Sequence, residues 1–117
     1  MAKDDMEVIQ YKILEYLYES IKAGHQTSLE EIAWKCKLFD ITRDYWLVIL
    51  RELIEEGYVK GLKYVDAKDM EGVIETGPIT ITSAGRQYLK ENSMMRKVRD
   101  ELGEAFRITL GAVIGML

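Results

Sequence analysis

Residues 41–59 read ITRDYWLVILRELIEEGYV, and this stretch decides the fold of the chain. Thr42 is a residue type that caps helices, because its side-chain oxygen accepts a hydrogen bond from the first turn. Apolar side chains follow it at helical spacing: Trp46, Ile49, Leu50 and Leu53. Gly57 is typical of the position just after a helix, and Tyr58 begins a segment of strand-forming residues. The stretch therefore predicts a helix that passes directly into a strand.

Two further helices are predicted before this one. The first runs from Asp5 to Lys22, ends at Ala23-Gly24, and has one apolar stripe: Met6, Ile9, Ile13, Leu14, Leu17 and Ile21. The second begins at Ser28, which forms a capping box with Glu31. Its predicted inward face consists of Leu29, Ile32, Ala33 and Cys36. A turn at 37–41 leads to Thr42, so the second and third predicted helices form a helix-turn-helix.

A β-hairpin is predicted after Gly57. Its strands are the segments 58–65 and 73–82, which are rich in β-branched and aromatic residues. Residues 66–72 are polar and are expected to form the tip. Pro78 lacks a backbone N–H, so the second strand should lie at an edge or be kinked there. Three helices and such a hairpin predict an α+β, mostly helical chain with the winged helix-turn-helix fold, in which the hairpin is the wing.

Two C-terminal helices are expected to complete the chain. The first is capped by Thr82, and the second runs from Ser93 to Leu117. From Ile108 onward the second is apolar on nearly all sides, so we expect it to be buried against a partner or its own chain. The predicted organisation is a winged-helix domain at 1–92 and a dimerisation or docking helix at 93–117. The expected contact residues of that helix are Phe106, Leu110, Val113, Ile114 and Leu117.

The composition excludes several classes of protein. The chain has 117 residues, of which 48% are hydrophobic and 31% charged, as in one globular domain. One Cys and one His form neither an internal disulfide nor a zinc site, and no catalytic constellation or phosphate-binding glycine loop is evident. The N-terminus has no secretory pattern, and the terminal apolar run is about half the roughly twenty residues that a membrane span needs. We expect a cytoplasmic, non-enzymatic protein with no cofactor, no metal, no membrane contact and no small-molecule substrate.

Three phrases of the sequence resemble a known family. They are Tyr11-Lys-Ile-Leu14, Leu53-Ile-Glu-Glu-Gly-Tyr-Val-Lys-Gly61 and Ile81-Thr-Ser-Ala-Gly-Arg-Gln-Tyr-Leu-Lys-Glu-Asn92. On these phrases, most of residues 6–100 resembles the YjcQ-like winged-helix proteins of Gram-positive bacteria and their prophages. The resemblance implies a winged-helix fold, a phage or mobile-element context and no enzyme activity. The family has no established catalytic residues to carry over.

The third helix of a winged helix-turn-helix enters the DNA major groove, so its outward side chains are candidate contacts. The stripe opposite the apolar side consists of Asp44, Val48, Arg51 and Glu55, with Glu52 beside it. Arg51 is a candidate base or phosphate contact, supported by Arg43 and Tyr45 at the start of the helix. The alternative is a solvated face on which Arg51 pairs with Glu55, and the scarcity of cations slightly favours it.

Two other surfaces carry candidate residues. Lys60 and Lys63 on the hairpin are candidate phosphate contacts, although a solubilising loop that protects an edge strand is the favoured alternative. Trp34 lies on the side of the second predicted helix opposite its apolar face. Because tryptophan is usually buried, we expect Trp34 to contact protein, in this chain or in a partner.

Two functions fit these observations. The leading hypothesis is a transcriptional regulator that binds double-stranded DNA as a homodimer, with paired C-terminal helices placing two third helices against the grooves. The alternative is a protein–protein interaction module on a winged-helix scaffold that does not bind DNA. The net charge of −4 keeps the alternative open, because nucleic-acid-binding domains usually carry a basic surplus.

Overall fold

The structure is a computed structural model that describes residues 1–115, in which four α-helices and one antiparallel hairpin account for most of the chain. The elements in chain order are helix α1 (Met6–Lys22), a 3-10 turn (Leu29–Ile32), helix α2 (Arg43–Glu55), strands β1 (Val59–Ala67) and β2 (Met70–Ile81), and helices α3 (Ser83–Glu91) and α4 (Ser93–Gly115). The α+β, mostly helical class is confirmed. The layout is consistent with a winged helix, although five helices were predicted.

Helix α1 forms the centre of the core. Ile9, Ile13, Leu14 and Leu17 are at most 1% exposed, because α2, β2, α3 and α4 all pack on this helix. Ile21 was predicted in the same stripe, and this was wrong. Residues 21–24 are all exposed, since the last turn of α1 extends past the elements that cover the rest of it.

The second predicted helix is one 3-10 turn of four residues, which is a correction to the predicted helix-turn-helix. The capping box itself is present, but Ala33 is already extended and the helix stops there. Two backbone hydrogen bonds explain this, from Ile41 N to the Trp34 carbonyl at 2.9 Å and from Cys36 N to the Phe39 carbonyl at 3.0 Å. These bonds pair the chain with itself across a tight turn. Of the predicted inward face, only Ile32 is fully buried.

Helix α2 begins and ends where the sequence predicts. The Thr42 hydroxyl accepts a hydrogen bond from Tyr45 N at 3.2 Å. At the other end, Gly57 has a φ of +75°, and Tyr58 N donates to the Leu53 carbonyl at 3.0 Å. This is the glycine-terminated helix end that satisfies the last carbonyls. The predicted buried side of α2 is confirmed for all four residues: Trp46, Ile49, Leu50 and Leu53.

The hairpin is longer and tighter than predicted. Asp66 pairs with Glu71 and Ala67 with Met70, so the turn holds two residues and not the predicted seven. Lys68 and Asp69 form this turn, and the other residues assigned to the tip lie at the ends of the strands. The irregularity predicted at Pro78 is confirmed by a break in register opposite Gly61. Gly61 has a φ of +86°, and a Cβ there would lie 2.1 Å from the Pro78 carbonyl oxygen.

The base of the hairpin is closed by the entry into α3. The Thr82 hydroxyl donates to the Gly57 carbonyl at 2.6 Å and accepts from Gly85 N at 3.0 Å. A Cβ on Gly85 would lie 2.2 Å from the Tyr58 carbonyl oxygen, so only glycine permits this approach. The Thr-x-x-Gly phrase thus fastens the start of α3 to the end of α2.

Helix α4 was predicted to be continuous, and this was wrong. Gly103 has φ +62° and ψ −156°, which breaks the helix into the segments 93–102 and 104–115. The break lets the second segment fold back onto α1, where Phe106 and Leu110 are buried. Ile108 is 71% exposed on the outer face, so the chain itself does not bury the apolar stretch from Ile108 onward on most sides, and its burial by a partner stays a prediction. None of the described helices combines the length and apolar character needed to cross a membrane.

Candidate interaction surfaces

The outward face of α2 is open to solvent, as predicted. Its exposed side chains are Asp44, Val48, Arg51, Glu52 and Glu55. Three carboxylates and one guanidinium give this face a negative potential, which opposes the approach of phosphates. The face therefore has the position of a DNA-reading surface without its charge.

Arg51 is held by contacts within the chain. Its Nε donates to Glu55 Oε1 at 2.8 Å, so the predicted ion pair is confirmed. The guanidinium also lies 4.8 Å from the centre of the Tyr64 ring on β1, a distance at which a cation and an aromatic face attract. The Tyr64 hydroxyl in turn donates to Glu71 on β2. Arg51 therefore joins α2 to the hairpin.

The two other predicted DNA contacts on α2 are also engaged. Arg43 Nη2 donates to the Glu71 carbonyl at 2.7 Å, and its guanidinium lies 5.8 Å from the Trp34 ring centre. The Tyr45 hydroxyl donates to the Asp4 carbonyl at 2.7 Å. The structure thus brings Arg43 and Arg51 to the hairpin, while Tyr45 faces the start of the chain.

Lys60 and Lys63 lie exposed on β1. Among the described residues, neither side chain takes part in an ion pair. Unlike Arg51, they therefore carry a charge that no carboxylate of the described residues neutralises.

A cleft of about 510 Å³ separates the hairpin from the body of the molecule. Trp34, Trp46 and Leu29 line its inner wall, and the apolar residues of the hairpin that line it are Val65, Met70, Val73 and Ile74. Met70 is 65% exposed and Ile74 is 46% exposed. The sequence did not indicate this cleft, because Met70 was predicted in a polar tip, and Leu29 and Trp34 on a helix that does not form.

The cleft has an acidic lining as well as an apolar one. Glu30, Glu71 and Glu75 line it, and Arg43 is the cation beside them. Arg43 already donates to the hairpin backbone, and Glu75 accepts from Leu29 N at 2.9 Å, which holds β2 to the 3-10 turn. The cleft is therefore an apolar surface in a negative field.

Trp34 lies against its own chain. Its ring packs edge-on against Trp46, with ring centres 5.2 Å apart, and it remains half-buried. The Trp46 indole N–H donates to the Ile32 carbonyl at 2.8 Å, which fixes the inner ring. Trp34 therefore makes the predicted protein contact with its own chain, and its exposed part lines the cleft.

The C-terminal segment uses two of its predicted contact residues internally. Phe106 lies 5.9 Å from the Tyr11 ring centre and is 8% exposed, and Leu110 is 2% exposed. Val113 and Ile114 are half-buried, and Leu117 lies outside the described residues. Phe106 and Leu110 are therefore unavailable for a surface contact while the segment is folded back. A homodimer through this helix stays a prediction.

A second cavity, of about 480 Å³, lies between α1 and the segment 104–115. Glu15 and Glu19 line it from α1, and Arg107 lines it from the segment. Burial, with hydrogen bonding to Glu19, raises the pKa of Glu15 to about 7. Although burial opposes it, the hydrogen bond from Lys22 lowers the pKa of Glu19. The carboxyl pair has i,i+4 spacing beside the apolar stripe, a signal that sequence analysis missed.

A third cluster gathers around Glu31. Its carboxylate accepts from the Tyr16 hydroxyl at 2.5 Å, from Ser28 N at 2.7 Å, and contacts His25 Nε2 at 2.5 Å. Burial works against ionisation, but these hydrogen bonds lower the pKa of Glu31. The Ser28 hydroxyl also donates to this carboxylate, at 2.8 Å, so Glu31 joins α1 to the start of the 3-10 turn.

Burial raises the pKa of the Cys36 thiol, which fits its predicted role as a small apolar side chain. Within residues 1–115, no three His, Cys, Asp or Glu side chains lie close enough together to hold a metal ion. The apolar and acidic cleft is therefore the strongest candidate site in the described part of the chain.

A family model described as "YjcQ protein" matches residues 11–105 of the chain. The match includes the whole of α2, both strands and α3, and therefore the elements that build the cleft. Neither the curated proteins nor the solved structures compared with the chain gave a match.

Proposed function

The chain belongs to the YjcQ family, and on that premise we propose that it is a non-enzymatic protein-interaction module on a winged-helix scaffold. The cleft between Trp34 and the hairpin is its binding site. The observation that carries the proposal is the apolar hairpin wall, where Met70 is 65% exposed. Contiguous apolar side chains at a concave surface are typical of a protein-binding site.

The charge of the cleft selects the chemistry of the partner. Glu30, Glu71 and Glu75 surround the apolar walls, and Arg43 is already bonded to the hairpin backbone. A partner segment that presents an apolar side chain flanked by lysine or arginine satisfies both features. An acidic segment, or a phosphate backbone, is repelled by the same carboxylates.

The outward face of α2 supports this choice over DNA. Arg51 is paired with Glu55, and Arg43 with the hairpin, so part of the hydrogen-bonding capacity of each is already used within the chain. Specific readers place arginine, lysine, asparagine or glutamine on such a face, and this face has carboxylates instead.

A peptide panel tests the cleft. Immobilised peptides with a central Leu, Phe or Trp flanked by lysines are expected to bind, and the same peptides flanked by glutamates are not. The double variant Met70→Ser/Ile74→Ser should lose binding by about fivefold or more, because it removes the exposed apolar wall. Val48→Ser, an equally exposed apolar side chain on α2, is the matched control and should bind normally. Binding that survives the double variant, or no binding at all, overturns the proposal.

The second candidate is a DNA-binding transcriptional regulator that acts as a dimer. It is supported by the winged-helix layout and by Lys60 and Lys63, whose charges are exposed on the hairpin. Random duplex DNA across a salt series separates the two functions. A regulator binds at low salt with steeply falling affinity as salt rises, and Lys60→Ala/Lys63→Ala reduces that slope by about two. The cytoplasmic location and the phage or prophage context stay predictions.

A further inference from the structure

The break in α4 depends on one backbone conformation. Gly103 has φ +62° and ψ −156°, in a region that is essentially reserved for glycine. A Cβ at Gly103 meets no atom within 4 Å, so a substitution there is opposed by the backbone conformation and not by a steric clash. The dihedral angles of a single residue therefore decide whether the segment 104–115 folds back.

The alternative conformation is a straight helix. With helical dihedral angles at Gly103, residues 93–115 form one helix about 34 Å long. That helix makes the i→i−4 hydrogen bonds that the break omits. It also carries the segment 104–115 away from α1.

A straight α4 leaves two matching apolar surfaces in water. One is the groove on α1 beside Tyr11, which Phe106 and Leu110 cover in the folded-back chain. The other is the face of the segment that carries those two side chains. The segment of a second copy fits the open groove, because it makes the same contacts that the first copy's own segment made, with Arg107 again beside Glu15 and Glu19.

We propose that the protein forms an exchanged dimer, in which the segment 104–115 of each copy docks on α1 of the other. Gly103 is the hinge, and the dimer gains helical hydrogen bonds while it keeps the burial of Phe106 and Leu110. Exchange of identical elements through a short hinge is a low-cost route to a dimer. The exchanged dimer does not depend on which partner binds the cleft. If the protein is instead a DNA-binding regulator, the exchange is the way in which its dimer forms.

The substitution Gly103→Ala tests the hinge. Alanine disfavours the broken conformation and accepts the straight helix, so the dimer dissociation constant should fall by about tenfold or more. Gly111→Ala is the matched control, because Gly111 lies in the same segment and a Cβ there meets nothing within 4 Å. It raises helix propensity equally and should leave the association unchanged. Light scattering over a concentration series measures both variants. A folded Gly103→Ala chain that associates no better than Gly111→Ala overturns the exchange and leaves the cleft proposal intact.

Mixed isotope labelling separates exchange from simple surface pairing. Labelled and unlabelled chains of Gly103→Ala are unfolded, mixed and refolded together. In an exchanged dimer, nuclear Overhauser effects connect the Tyr11 ring of one copy with the Phe106 ring of the other. A dimer in which these effects remain within one chain contradicts the proposal. If Gly103→Ala does not fold, the same labelling experiment is carried out on wild-type protein refolded at high concentration. Effects between the two copies are again expected, and effects confined to one chain again contradict the proposal.

Discussion

The two segments of α4 are continuous in sequence, but they belong to the molecule in different ways. In the segment 93–102, Met95 and Val98 are completely buried between α1 and α3. In the segment 104–115, Phe106 and Leu110 are buried on α1, whereas Ile108 faces solvent. Both segments contribute side chains to the core, but the second packs on α1 by one face and leaves Ile108 in water. How much of a helix is covered depends on its neighbours in space, and helix periodicity in the sequence does not reveal it.

The largest expected effect is at Met95. Met95→Ala should reduce the free energy of unfolding by about 3 kcal/mol, because it leaves a cavity that two helices cannot close. Leu110→Ala should reduce it by only about 1–2 kcal/mol, since the segment can detach locally without unfolding the core. Urea denaturation measures both values. Hydrogen exchange should show faster exchange throughout the chain for Met95→Ala and only within 104–115 for Leu110→Ala. Equal effects of the two substitutions contradict the distinction between the segments.

A smaller, pH-dependent effect is expected at Glu15, beneath the second segment. Its folded pKa of about 7 lies above the ordinary value of 4.5. The stability contributed by the neutral carboxyl is complete below pH 4.5 and is lost as pH rises through about 7. Glu15→Gln stays neutral, so at pH 8 it should be more stable than wild type by about 1–2 kcal/mol, after allowance for solvent screening, and equal to it near pH 4.

Thermal or urea denaturation at several pH values measures the Glu15 effect. Glu19→Gln is the control, because hydrogen bonding lowers the pKa of Glu19 and its stabilisation is therefore present at high pH. This control should gain no stability at pH 8. A Glu15→Gln chain with unchanged pH dependence between pH 4 and 8 shows that Glu15 is not the group responsible.

The smallest effect is expected at Ile108, on the outer face of the second segment. Ile108→Ser should change the free energy of unfolding by no more than about 0.5 kcal/mol, because the side chain is already in water. The same substitution tests which face of the segment makes the dimer contact. If Ile108→Ser leaves association unchanged while Phe106→Ser abolishes it, the inner face of the segment makes the contact. The reverse result assigns the contact to the outer face.

The elements that the sequence predicted correctly depend on signals a few residues apart. Thr42 bonds Tyr45 N, Gly57 follows its helix directly, and Thr82 bonds Gly85 N. Each of these residues acts through its own backbone geometry or through a neighbour three positions away. Such signals do not depend on the rest of the fold, and the bounds of α2 and the start of α3 followed from them.

The features that were missed depend on distant parts of the chain. Arg43 bonds the carbonyl of Glu71, which is 28 positions away, so no local pattern indicates that this arginine is occupied. The second predicted helix had a genuine capping box, but the pairing of Ile41 with Trp34 decided its length. Both long-range contacts shape the apolar cleft, because Arg43 and Trp34 line it. The candidate site was thus less predictable than the fold, because it forms where distant elements meet.

The base of the hairpin has a mechanical consequence. Thr82 holds Gly57, Gly85 contacts Tyr58, and Gly61 contacts Pro78, so both strands are clamped where they leave the helices. The free end, beyond Tyr64, is steadied by the Arg51 and Arg43 contacts. The hairpin is therefore fixed at its base, at the junction of α2 and α3. Any change in the width of the cleft must therefore come from bending of the strands between this base and Met70.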